Sequence, residues 1–321
     1  MKKLLKILVS LTALVVVLSG AAYVWASAAT SRKLARTYTV HAVDFPVPFP
    51  LSDAEAAEIP EADREQVARE RAIERGRHLL RSRYTCAECH SPDFGGGTMI
   101  DAPIMGRILA PNLTKGRGSR TASYRPADWD RIVRHGVLPD GRPAAMPSED
   151  FQLMSDQELS DIVAYLDSLP PVDRQMPAPA WGPIGKLLIA TGRLTLAPER
   201  VASHDAAHAI SPPETDATVE FGRHMAGACM GCHRENYAGG PIVSGDPAWP
   251  PARNLTPHAE GIAGWTYEQF VRAMRDGVRP DGTAIRPPMT LMIPYAQQIK
   301  DVEMQALWTF LQSLPPTATN K

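Results

Sequence analysis

The pattern of apolar and polar positions divides the chain into an unbroken apolar stretch and a set of amphipathic helices. Ile7 to Ser31 runs for 25 residues without a charge, between Lys2, Lys3 and Lys6 on one side and Arg32, Lys33 and Arg36 on the other. A bilayer core needs about 20 mostly apolar residues, whereas the apolar core of a cleaved leader has about 7 to 15. The stretch therefore predicts a transmembrane anchor over residues 1–31, although Ala26-Ser27-Ala28 also fits a leader cleavage site. Both readings export the rest of the chain. With basic residues on both flanks, charge alone does not fix the orientation.

Beyond the anchor the apolar spacing is helical. Leu159, Ile162, Val163, Leu166 and Leu169 share one face behind the capping pair Ser155 and Glu158, and Pro170-Pro171 stops the helix. Met304, Leu307, Trp308, Leu311 and Leu314 repeat that pattern ahead of Pro315-Pro316. A shorter helix carries Trp129, Ile132 and Val133 and ends at Gly136; its counterpart carries Phe270, Ala273 and Met274, starts at Thr266 with Gln269, and ends at Gly277. A first helix leads into each cysteine motif from Gly76 or Gly222. No alternating strand pattern of comparable length is visible, so the expected class is all-α.

These helices belong to an internal repeat, whose landmarks recur in order. Glu74-Arg75-Gly76-Arg77-His78 precedes Cys86-Ala87-Glu88-Cys89-His90, and Glu220-Phe221-Gly222-Arg223-His224 precedes Cys229-Met230-Gly231-Cys232-His233. Pro111-Asn112-Leu113-Thr114 matches Arg253-Asn254-Leu255-Thr256, lying 22 and 21 residues after the respective motif histidine. Gly136 to Gly141 matches Gly277 to Gly282, and both copies close on Ser-Leu-Pro-Pro. The division that follows is an anchor or leader at 1–31, a tether at 32–60, one domain at 61–173, a proline- and alanine-rich linker at 174–214 and a second domain at 215–318. Within the linker, Ile184 to Leu196 predicts a short helix packed on its own protein, and Ala35 to Pro50 reads as an extended or wrapping arm.

Composition narrows the function. The chain has 321 residues, enough for two domains, and its 44% hydrophobic and 21% charged residues suit a folded protein. A net charge of −1 offers no concentrated basic face for nucleic acid.

All four cysteines lie in Cys-x-x-Cys-His, one motif per repeat, which is the sequence pattern of c-type haem attachment. Two thiols one helical turn apart can form thioethers with the two vinyl groups on one porphyrin edge, and the next residue reaches the iron. Cys86, Cys89, Cys229 and Cys232 are thus expected to hold two haems c, with His90 and His233 as proximal ligands. A thioredoxin-like pair would follow a strand, and none is seen. One zinc shared by four thiolates would have to bridge the 139 residues between Cys89 and Cys229.

The second axial ligand decides between electron transfer and catalysis. Met146 lies in Pro143-Ala144-Ala145-Met146-Pro147 and Met289 in Arg286-Pro287-Pro288-Met289-Thr290, both in proline-braced loops, with Met292 the rival in the longer second loop. A six-coordinate His/Met iron has no vacant site, and the neutral sulfur favours reduced iron. His135 suits the last turn of its helix by charge; His78 and His224 are expected to pack or to meet propionates, and His41, His204, His208 and His258 read as solvent or loop residues.

With these motifs the chain resembles the membrane-anchored di-haem class I c-type cytochromes, built of tandem cytochrome c domains. The match covers roughly 65–171 and 215–316 and extends to Tyr165-Leu166 and Phe310-Leu311. The resemblance implies small helical domains and places Asn112 and Asn254 near their haems, although asparagine also caps turns by bonding its own backbone. It implies electron transfer rather than catalysis, in the bacterial periplasm, tethered to the inner membrane, between a dehydrogenase or quinol-oxidising complex and a terminal acceptor, as a free carrier or a complex subunit. Haem attachment outside the membrane would leave the amino terminus inside. The competing reading is a di-haem peroxidase or another haem oxidoreductase with one open iron.

Overall fold

The computed structural model describes residues 2–242 and 249–321. Its helices are α1 (Lys2–Leu34), α2 (Asp53–Glu58), α3 (Arg64–Ser82), α4 (Cys86–His90), α5 (Pro126–His135), α6 (Asp156–Ser168), α7 (Pro183–Ala190), α8 (Val219–Ala226), α9 (Met230–His233), α10 (Tyr267–Asp276), α11 (Ile293–Ala296) and α12 (Asp301–Ser313).

Each repeat is organised by two crossing helices, α3 on α6 in the first and α8 on α12 in the second. The crossings are close because a glycine sits at each. A Cβ on Gly76 would lie 2.0 Å from the Asp161 carbonyl oxygen, and one on Gly222 would lie 2.0 Å from that of Ala306. This explains the glycine shared by the two Glu-x-Gly-x-His landmarks. Around each crossing an apolar core forms: Leu79, Leu80, Trp129, Leu159, Ile162, Val163 and Leu166 in one, and Phe221, Met225, Phe270, Met304, Leu307, Phe310 and Leu311 in the other. The predicted caps are present. Ser155 and Glu158 form a reciprocal capping box, as do Thr266 and Gln269, and Gly136 and Gly277 are left-handed C-caps.

The structure departs from the all-helical expectation in one place. β1 (Gly97–Ala102), β2 (Gly106–Ala110) and β3 (Ala180–Trp181) form an antiparallel sheet in the order β1-β2-β3. Its strands escape a pattern reading because they are short and the β1–β2 register shifts between Thr98 and Ile100, which breaks the alternation.

The arm after α1 wraps the first domain. Phe45 joins that domain's core, the Val43 amide donates to Asp130 Oδ2 at 2.7 Å, and Ser160 Oγ donates to the Pro46 carbonyl at 2.6 Å. The linker helix α7 lies against the end of α1. Thr30 Oγ1 donates to the Lys186 carbonyl at 2.8 Å and Lys33 Nζ to that of Ile189 at 2.9 Å, so Ala26 and Thr30 are buried while most of α1 before them is exposed. α1 is long and apolar enough to cross a membrane.

Candidate functional site

Two sites of the same construction, one per repeat, are assembled around the cysteine motifs. In each, the motif forms a short helix ending on a buried histidine. The residue after that histidine, Ser91 or Arg234, has positive φ (65° and 68°), as does an aromatic residue three positions on, Phe94 (54°) or Tyr237 (56°). Side chains adopt this region at a cost, and its recurrence at matching positions marks a backbone held for a purpose. The aromatic residues' carbonyls accept from Leu113 and Leu255 amides, both at 2.8 Å, which fixes the Asn-Leu-Thr loop beside the motif.

That loop orients the histidine. His90 Nδ1 lies 2.8 Å from the Pro111 carbonyl oxygen, and His233 Nδ1 lies 2.7 Å from that of Arg253. A carbonyl only accepts, so Nδ1 carries the proton and Nε2 keeps its lone pair, the form an imidazole needs to bind a metal. Burial pulls both imidazoles below the ordinary histidine value, against the opposing pull of the carbonyl, and so favours the neutral ring. Among the described residues no hydrogen-bond partner reaches either Nε2.

The cysteines sit in apolar surroundings. Burial pushes the thiols of Cys86 and Cys229 up to about 12, so neither is an activated thiolate. The four cysteines do not gather into one cluster with metal-ligand spacing. Both facts fit thioether attachment of one haem per motif.

Asn112 and Asn254 hold the loop by backbone bonds. Asn112 Nδ2 donates to the Val172 carbonyl at 2.6 Å, and its Oδ1 accepts from the Thr114 amide at 2.9 Å and the Thr114 hydroxyl at 2.8 Å. Asn254 repeats this with the Thr317 carbonyl at 2.7 Å and Thr256 at 2.8 and 2.7 Å. The chain after each final helix thus closes over the loop that grips the histidine.

Met146 is half-buried against the first core. Met289 and Met292, both half-buried, stand at the two ends of one turn. The loops match through the bonds Ala144 to Gly136 and Ile285 to Gly277, after which the second is longer and carries α11.

His41 and His258 lie in loops as expected, whereas His78, His224, His135 and His208 are placed differently from the sequence expectation. His78 and His224 meet carboxylates of the opposite domain: His78 Nε2 lies 2.9 Å from Glu303 and His224 Nε2 lies 2.9 Å from Glu158. His135 has no exposed side chain, and His208 is 7% exposed, because the linker folds back onto the end of α5.

Residues not anticipated from sequence also link the domains. Tyr295 OH donates to Glu88 Oε1 at 3.0 Å, joining the second domain to the first cysteine motif. At the matching position Asp150 reaches the second motif, so close that a Cβ on Gly231 would lie 2.0 Å from its Oδ1. Each cysteine motif therefore faces the opposite domain through its second variable residue.

Comparison with known proteins agrees with this construction. The family model described as cytochrome c oxidase, cbb3-type, subunit III matches residues 71–166, and the cytochrome c family model matches residues 219–315. Among relatives, the chain is 26% identical to the gluconate 2-dehydrogenase cytochrome c subunit of Pantoea cypripedii, over 77% of this chain and 60% of that one. It is 26% identical to the alcohol dehydrogenase (quinone) cytochrome c subunit of Komagataeibacter europaeus, over 83% of this chain and 59% of that one. To a diheme cytochrome c-type protein of Cereibacter sphaeroides the identity is 26%, over 72% of this chain and 82% of the relative. The chain thus spans about 60% of the length of the two dehydrogenase subunits. Two matched domains and two equivalent haem-attachment sites make the chain a di-haem c-type cytochrome, an electron-transfer protein with one cytochrome c domain per repeat.

Proposed function

We propose that the chain relays electrons from a membrane-bound dehydrogenase or quinol-oxidising complex to a terminal acceptor, as a cytochrome subunit held on the periplasmic face of the inner membrane. The observation that carries this reading is that each attachment motif is turned toward the other domain, Glu88 to Tyr295 and Gly231 to Asp150. Haem iron supplies the electron chemistry by alternating between ferric and ferrous states. His90 and His233, oriented by the Pro111 and Arg253 carbonyls, would hold the iron through Nε2. Met146 and Met289 would supply a sulfur ligand to the first and second iron, with Met292 the alternative to Met289. Sulfur ligation keeps the iron saturated and favours its reduced form, which suits a carrier rather than an oxygen- or peroxide-activating centre.

Anchoring through α1 is supported by its packing. Ala26, within the Ala26-Ser27-Ala28 pattern, is buried against α7, and cleavage there would remove a surface on which the linker rests. Two of the three relatives named above carry dehydrogenase names, which supports assembly with such an enzyme.

Extraction in mild detergent followed by affinity purification tests this assignment. A dehydrogenase is expected to co-purify and to reduce both haems on adding its substrate. Recovery of the chain alone, from a membrane where dehydrogenase activity is unchanged by its deletion, contradicts the subunit role.

A further inference from the structure

Helix α5 carries two fully buried titratable side chains, Asp130 at its middle and His135 at its last position. The linker lays His204 and His208 across this end, fastened by the Asp156 and Gln157 amides, which donate to the Ala209 and Ile210 carbonyls at 2.9 and 3.0 Å. His135 Nε2 lies 3.3 Å from His208 Nε2 and 3.8 Å from Asp130 Oδ2, and His208 Nε2 lies 3.9 Å from Asp130 Oδ1.

The protons in this cluster can be assigned in sequence. His204 Nε2 lies 3.0 Å from the Pro198 carbonyl oxygen and must donate to it, so a neutral His204 has a lone pair on Nδ1. His135 Nδ1, 3.2 Å away, then carries a proton and donates to His204. A neutral His135 therefore turns a lone pair on Nε2 toward His208 and the Asp130 carboxylate.

The fixed charges nearby leave room for a cation. Arg134 donates to Asp130 Oδ1 at 2.6 Å and to Asp156 Oδ1 at 2.8 Å, so one guanidinium faces two carboxylates and the local balance is negative. Asp130 accepts one bond on each oxygen, from Arg134 and Val43, leaving further lone pairs free. Ligand atoms about 2.0–2.1 Å from a tetrahedral zinc stand roughly 3.3–3.4 Å apart. The two imidazole nitrogens stand 3.3 Å apart, and each lies 3.8 or 3.9 Å from a different oxygen of Asp130, so a modest turn of the carboxylate would bring one oxygen to that spacing from both.

We propose that Asp130, His135 and His208 form a binding site for one borderline divalent cation of the zinc or copper(II) class. Two imidazoles and a carboxylate suit these ions, with a fourth position left to water. His204 is a positioning residue, which fixes the tautomer and ring orientation of His135 from behind. Because His208 comes from the linker and the other two ligands from the first domain, a bound ion ties the linker to that domain.

The full-length di-haem protein, purified in detergent and stripped with a chelator, is dialysed against zinc and its metal content compared with haem iron. One zinc per two haem irons is expected. His135→Asn and His208→Gln are each expected to lose it, His204→Gln to weaken it by about tenfold, and His258→Gln to leave it unchanged. An unaltered haem spectrum reports folding, and His208→Gln, on the linker, serves even if His135→Asn does not fold. With copper(II) in place of zinc, electron spin resonance should show coupling to two nitrogens. No stoichiometric zinc in the wild type, or its retention by both ligand variants, overturns the proposal.

Discussion

His78 of the first domain bonds Glu303 of the second at 2.9 Å, and its repeat counterpart His224 bonds Glu158 of the first at the same distance. The two domains thus meet through reciprocal contacts, as two copies of one unit joined about an approximate two-fold axis would. Each glutamate also caps its own final helix: Glu158 Oε2 accepts from Ser155 and Glu303 Oε2 from Lys300, both at 2.9 Å or less.

Arg83 breaks the symmetry. Its side chain is 6% exposed and pairs with Glu158, itself 4% exposed, while its guanidinium lies 5.8 Å from the Phe221 ring of the second domain. Glu158→Ala leaves that guanidinium buried without its main partner. The expected loss is about 3–5 kcal/mol, read as a lower unfolding midpoint in denaturant. Glu303→Ala should cost less, since Arg83 stands 4.0 Å from Glu303. Equal losses would show that Arg83 is not what sets the interface energy.

Gly76→Ala and Gly222→Ala should destabilise their own domains, because the added methyl meets a backbone carbonyl at 2.0 Å in each. Overpacking of this kind costs about 1–3 kcal/mol or more where backbone must move. Thermal unfolding monitored at the haem bands checks it, and a midpoint within error of the wild type would contradict the close crossing.

Burial raises the Asp150 carboxyl to about 7, with Glu149 adding to the rise and Arg200 opposing it. The folded chain therefore holds this proton more tightly than the unfolded chain. The stabilisation is complete below the ordinary value of 3.8 and is lost as pH rises through about 7. Ionisation places a negative charge beside Gly231 and favours ferric iron, so the second haem's potential should fall as pH rises through that range. Asp150→Asn should flatten both profiles. A potential that retains its pH dependence in the variant assigns it to another group.

Three arginines gather behind the motif histidine of the second site. Arg253, whose carbonyl holds His233, is pulled below the ordinary guanidinium value by burial and by Arg279 and Arg286, while the first repeat has Pro111, Leu138 and Ala145 at these positions. Positive charge disfavours ferric iron, so the second haem is expected to have the higher potential, and Arg279→Gln should lower it while leaving the first nearly fixed. Potentiometric titration resolves the two midpoints; an unchanged pair would mean that these arginines are screened.

The repeat, its helices and its attachment motifs were legible because each rests on local chemistry: 3.6-residue spacing, capping pairs, left-handed glycines and two thiols one turn apart. The roles of glycines 76 and 222 were visible as a shared landmark but not explained, since their cause is a carbonyl on a helix far along the chain. Glu158 was read as a cap, and that sufficient local explanation concealed its contact with His224. The β1–β2 pair was hidden by its shifted register. His135 and His208 looked unremarkable because their burial depends on a linker folding back, which no periodicity encodes.

The proposed electron relay requires both irons to be saturated, by His90 with Met146 and by His233 with Met289. Electron spin resonance of the fully oxidised protein, with and without cyanide, tests it most directly. Two low-spin ferric signals that cyanide does not rapidly displace are expected, with Met146→His altering one signal and lowering one potential. A high-spin ferric signal, or rapid cyanide binding at either haem of the native protein, would contradict it.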